Sequence, residues 1–181
     1  MNRRDTLICL CGIGFGALTK GVLAKTNLSS IPQKNHEAAM REAIAMALQN
    51  QTYPFGAVIA EASTGGILAK GVNNAMVNPS LHGEIACLNH YVAQYGNKNW
   101  GSCVLYTTGE PCPMCMSALI WAGIGGVVYG SSVATIKKSG IDAFTLSAKA
   151  VNTASPFSQT SLMGGILEKE CDALFTNRKR S

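Results

Sequence analysis

A chain of 181 residues with formal charge +5 and 47% hydrophobic residues can hold one domain with a sizeable core, and is too apolar for a disordered polyelectrolyte. Its charge sits at the ends. A leader closing at Ala24 would remove Arg3, Arg4, Lys20 and Asp5, a net +2, and Arg178, Lys179 and Arg180 account for the remaining +3, so the body is about neutral and lacks the basic face of a broad nucleic-acid footprint.

At the start, Arg3-Arg4, an uncharged apolar run over 7–18 and Val22-Leu23-Ala24 read as the n-region, h-region and cleavage site of an export signal. The apolar run is too short to cross a hydrocarbon layer of about 30 Å as a helix, and the paired arginines resemble a twin-arginine signal. A generic secretory leader or a disordered one is the alternative. The expectation is removal of 1–24, an exported periplasmic protein (cytoplasmic if the leader is inactive) with no membrane in the mature form, one domain over 35–176 and a solvated basic tail over 177–181.

Asn35 offers an N-cap, and Met40, Ala43, Ile44, Ala47 and Leu48 share one helical face, so a first helix is expected, ended by Pro54. Residues 55–60 and Ile67–Val72 read as two short strands joined by Ser63-Thr64-Gly65-Gly66. A polar loop over 74–81 leads to a second helix starting near His82 or Gly83, with Ile85, Leu88, Val92 and Tyr95 as its apolar stripe and Gly96 beyond its end. A strand over 103–107, a turn over 108–111, a helix over Pro113–Ala122 stopped by Gly123 and a strand over 127–129 follow. Beyond Gly130 the pattern weakens: short helical turns within 133–150, a loop over 151–160, a strand near Leu162-Met163 and a closing helix over 166–175. This order predicts an α/β fold, a three-layer sandwich around a central, largely parallel five-stranded sheet.

The chemistry concentrates between His82-Gly83-Glu84 and Pro111-Cys112-Pro113-Met114-Cys115. A lone C-x-x-C reads equally as a redox pair, half a zinc knuckle or two buried cysteines. If Pro113 opens a helix, however, both thiols leave its first turn toward one place. Together with His82 they form an N/S ligand set that suits Zn2+ and leaves the fourth tetrahedral position open, as in catalytic sites. Glu84 can then face that position as a proton carrier. Of the seven cysteines, Cys9 and Cys11 fall in the leader; Cys87, Cys103 and Cys171 sit in apolar surroundings and imply no disulfide framework.

The joined motif, H-x-E followed by P-C-x-x-C, resembles that of the zinc-dependent cytidine and deoxycytidylate deaminase superfamily. The resemblance covers about 55–129 well and implies the same α/β core and a hydrolytic deaminase of a nucleobase or nucleoside. In it, zinc activates a water to hydroxide, and Glu84 carries the protons that release ammonia. Family members are commonly homodimers, so a homodimer is expected. Gly71-Val72-Asn73 is similar to the family's G-x-N, which places Asn73 against the substrate ring; a turn asparagine is the other reading. Phe55 resembles a pocket-side residue of the family, or is simply core, and Glu110 orients a neighbouring group or sits in an exposed turn. The run from Ala118 to Ala122 resembles guanine deaminases, which implies that Trp121 walls the pocket; a core tryptophan at a helix end is the alternative. Those enzymes carry two adjacent acidic residues where Gly140-Ile141-Asp142-Ala143 has one, so Asp142 alone would accept from the 2-amino group of guanine. The rival readings are a tRNA adenosine deaminase, which the basic tail and closing helix resemble, and a non-catalytic zinc-binding module. The favoured partner is a small base or nucleoside rather than a nucleic acid.

Overall fold

The computed structural model describes residues 26–157 and 159–180, so the expected leader lies outside the described residues. Period-two patterning builds the centre of the molecule. Strand β1 (Gly56–Glu61) sends Ala57 and Ile59 to one face and Val58 and Ala60 to the other. In β3 (Cys103–Gly109), Cys103 and Leu105 oppose Val104 and Tyr106; in β4 (Gly126–Ser131), Val127 opposes Val128. A sheet buried on both faces requires helices on both.

One face is covered by α1 (Gln33–Ala47) and α6 (Glu168–Thr176), through Ala39, Met40, Ala43 and Cys171. The other is covered by α2 (Gly83–Tyr95), α3 (Pro113–Ala122) and α5 (Ala148–Ala154), through Cys87, Leu88, Tyr91, Met116, Leu119 and Ala148. With β2 (Ile67–Val72) and β5 (Ser161–Gly164), the sheet order is β2-β1-β3-β4-β5. The β1 pairings are antiparallel and the β3–β4 and β4–β5 pairings parallel, so four strands point one way and β1 alone runs against them. The expected three-layer architecture is the observed one, but the strands that lead to the two motif halves are not neighbours: β1 lies between β2 and β3.

Four local expectations are corrected. Helix α1 begins at Gln33 with Pro32 in the cap position, ahead of Asn35, because proline is already set at φ −56°. It ends at Ala47, well before Pro54, which leaves Leu48 exposed in a connecting loop. In α2 the buried residues are Gly83, Glu84, Cys87, Leu88 and Tyr91, while Val92 and Tyr95 are 43% and 40% exposed. The helix is turned so that its carboxylate, rather than its most apolar stripe, meets the sheet. Helix α5 occupies part of the stretch read as loop: the Ser147 hydroxyl caps it by accepting from Ala150 N.

The tail is not simply solvated. Lys179 N donates to Gln51 O at 2.9 Å, and the Arg178 guanidinium reaches two backbone carbonyls in other segments.

Candidate active site

Because β2, β3 and β4 point the same way and β1 is reversed, one sheet edge collects the ends of the first three and the start of the fourth. The loops that leave that edge are 73–82 after β2, 110–112 after β3 and the turn into α4 (Val133–Lys138) after β4; residues 53–55 lead into β1. A cavity of about 540 Å³ opens among them, within the usual size range of small-molecule sites.

His82 is the N-cap of α2 and Cys112 the N-cap of α3, with Pro113 at the first helical position. Proline there loses no helical hydrogen bond and pre-sets the turn that brings Cys115 back beside Cys112. The His82, Cys112 and Cys115 ligand atoms all lie within 4.8 Å of one another, and Cys112 Sγ is 3.7 Å from His82 Nδ1. Tetrahedral zinc with bonds of about 2.0–2.3 Å needs ligand atoms roughly 3.5–3.8 Å apart, so the cluster fits that metal with little adjustment.

Electrostatics agree. A hydrogen bond from Cys115, with another from His82, draws the Cys112 thiol down to about 4 against the effect of burial. The same Cys112–Cys115 hydrogen bond, with burial, pushes the Cys115 thiol up. The opposite directions describe one shared proton: the pair carries one negative charge readily, and a second only beside a cation. The hydrogen bond to Cys112 raises His82, favouring its charged form. A dication would replace both protons.

Glu84 is 3% exposed, yet it reaches the cavity. Burial pushes its carboxyl up, toward the range in which a carboxylate both takes and returns protons. Thr107 Oγ1 donates to Glu84 Oε1 at 3.3 Å; a threonine inside an apolar strand gave no sequence signal for that contact. Phe55, Asn73 and Asp142 also line the cavity. The Asn73 backbone is held at both ends, its N–H donating to Phe55 O and its carbonyl accepting from Asn50 Nδ2, each at 2.9 Å. That leaves the side-chain amide for the cavity. Glu110 is buried rather than in an exposed turn, and accepts from Val133 N at 3.0 Å and Ala148 N at 2.9 Å.

Trp121 is the residue that the structure does not bring to the site. It is 75% exposed, stands outside the cavity and meets the Phe157 ring edge-on at 4.7 Å. Six residues past Cys115 is 600° of helical rotation, which turns it away from the first-turn ligands. Tyr53, Met76, Met114 and Phe144 supply apolar wall instead; of these, Met114, inside the C-x-x-C, and Phe144, directly after the Gly140–Ala143 run, were adjacent to a sequence signal.

An N/S cluster that could hold a metal ion lies beside a buried carboxylate at the edge of a three-layer α/β sheet, an arrangement suited to hydrolytic chemistry. The relationship to known proteins is specific. The cytidine and deoxycytidylate deaminase zinc-binding region matches residues 33–131. Guanine deaminase of Bacillus subtilis is 33% identical over 114 residues, 60% of this chain and 72% of that protein. A tRNA-specific adenosine deaminase of Buchnera aphidicola is 31% identical over 132 residues, 70% of this chain and 77% of its own length. The solved guanine deaminase of Nitrosomonas europaea superposes with a TM-score of 0.65 at 21% identity, covering 81% of this chain and 83% of that one, and supports the fold. The chain belongs to the cytidine and deoxycytidylate deaminase family and, as such, is a hydrolase acting on C–N bonds.

Proposed function

We propose that this chain is a zinc-dependent deaminase of free nucleobases, with guanine its preferred substrate. The observation that carries the reading is the cavity itself. It joins His82 and Cys112 of the ligand cluster and the buried Glu84 to two polar groups suited to a heterocycle edge, the Asn73 amide and the Asp142 carboxylate. Apart from His82, its charged lining residues are all acidic (Glu84, Glu110 and Asp142), which disfavours a phosphorylated nucleotide or an RNA backbone. The similarity to guanine deaminases supports the same choice.

Held by His82, Cys112 and Cys115, zinc supplies the positive charge that makes a water acidic enough to attack near neutral pH. The chain's own residues do the rest. Asn73 and Asp142 hold the ring edge so that the amine-bearing carbon faces the cluster. Glu84 takes one water proton and hands it to the ring nitrogen, then takes the second and hands it to the amine. A C–O bond forms, the C–N bond breaks, and ammonia leaves. Thr107 steadies the carboxylate between transfers.

Two properties of the whole chain join this proposal. Helix α3 is apolar nearly all round yet leaves Trp121 exposed, which supports a homodimer with α3 at its interface. Residues 1–24 direct export to the periplasm. Among the described residues no helix is long and apolar enough to cross a membrane.

Steady-state ammonia release with guanine, adenine, cytosine, cytidine and an RNA hairpin tests the substrate. Guanine should lead in kcat/KM. A lead by cytidine or the hairpin of more than tenfold, about 1.4 kcal/mol, would discard the free-purine reading. In Cys112→Ala protein the zinc content should fall to near zero, and full retention would reject the ligand set.

A further inference from the structure

Much of the cavity wall is carried by the segment 133–148, from the start of α4 to the start of α5, including Ile136, Ile141, Asp142 and Phe144. Its middle has little core of its own. Ile141 and Ala143 join a small cluster with Ile136, Phe175 and Phe55, while Phe144 and Leu146 are exposed. A loop with so few buried contacts opens locally at small cost unless something else holds it.

Among the described residues, side chains distant in sequence hold three backbone groups of the segment. The Glu110 carboxylate accepts from Val133 N and Ala148 N, one at each end. At the middle, Arg178 Nη2 donates to Gly140 O at 3.2 Å. That carbonyl belongs to a left-handed turn at φ +84°, a conformation glycine takes without strain, and Ile141 and Asp142 follow directly. The other arm of the same guanidinium, Nη1, donates to Thr52 O at 3.3 Å, and its carbon lies 5.9 Å from the centre of the Tyr53 ring. Tyr53 is itself a wall residue, so one side chain ties two stretches of wall together, although Arg178 does not line the cavity. Its Nε has no partner among the described residues, so both hydrogen bonds of the guanidinium run from its two terminal nitrogens. The two contacts fix two carbonyls at a set spacing, because a guanidinium offers rigidly spaced donors that an ammonium lacks.

We propose that Arg178 is a positioning residue for substrate: by tying the Gly140 turn to the Thr52–Tyr53 stretch, it fixes where Asp142 presents its carboxylate and so sets affinity for the base. This rests on the reading that Asp142 meets the substrate. The tail that sequence composition marks as a solvated basic end is then part of the specificity machinery.

The test uses full-length zinc-loaded protein with Arg178→Ala and Arg178→Lys, so that a folding failure of the first leaves the second. Hydrogen exchange comes first, because it needs no substrate. The peptide spanning 139–147 should exchange faster in both variants while that spanning 112–122 is unchanged. Equal exchange at 139–147 overturns the proposal whatever the enzyme deaminates. Kinetics follow on whichever base the unaltered protein turns over fastest. Arg178→Ala should raise KM about tenfold with kcat within about threefold, and Arg178→Lys should fall between. A loss confined to kcat overturns it. In an Asp142→Ala background, Arg178→Ala should add less than about twofold, since the carboxylate it positions is gone; a full additive effect would mean that Arg178 acts by another route.

Discussion

At the residue scale, the decisive contrast lies between two acidic side chains of the cavity. Glu84 is buried against the sheet, with Thr107 donating to it, whereas Asp142 stands exposed on a loop. The first can move protons and the second can recognise. Glu84→Gln keeps the volume and the zinc but cannot carry a proton, so ammonia release should fall by about 10²–10⁴-fold at unchanged metal content. Loss of zinc together with activity would mean instead that Glu84 is needed to build the metal site. Asp142→Asn turns an acceptor into a mixed donor and should raise KM for guanine with little change in kcat, read from initial rates across a guanine titration.

At the element scale, the site depends on how closely α2 lies on the sheet. A Cβ on Gly71 of β2 would collide with Cys87 N and Gly83 O of α2, and one on Gly83 would meet Phe55 O at 2.7 Å. These glycines let the backbones touch, and that contact carries Glu84 inward beneath His82. Because the obstructing atoms are backbone, Gly71→Ala should cost about 1–3 kcal/mol, seen as a lower denaturation midpoint. It should also reduce zinc retention, because His82 caps the displaced helix. An unchanged midpoint would show that α2 has room to move. Helix α3 works differently: its register is set locally by Pro113, and Gly123 at φ 74° ends it.

At the scale of the whole molecule, two proposals reach beyond the described fold. If α3 forms the dimer interface, Trp121→Asp places a charge in the middle of it. The variant should sediment as a monomer where the unaltered protein sediments as a dimer; two dimers, or two monomers, would locate the contact elsewhere or remove it. If the paired arginines direct export, Arg3→Lys with Arg4→Lys should hold the precursor in the cytoplasm, judged by fractionation. Normal export would assign the leader to another route.

The parts legible from residue order alone were those whose cause is local. Pro113 and Gly123 bound α3, His82 and Gly96 bracket α2, and alternating β-rich runs mark β1, β3 and β4. The motif spacing placed the ligand cluster, because both halves sit at helix starts that follow strands. What sequence left open depends on neighbours distant along the chain. The reversed β1 between β2 and β3, the rotation of α2 that buries Glu84 at the expense of Val92 and Tyr95, and the outward turn of Trp121 all follow from packing against partners many residues away. The docking of Arg178 on Thr52 and Gly140 is of the same kind. A side chain's type and local period say that it can cap, bind or bury; which of these it does is decided by the surface that the rest of the fold sets opposite it.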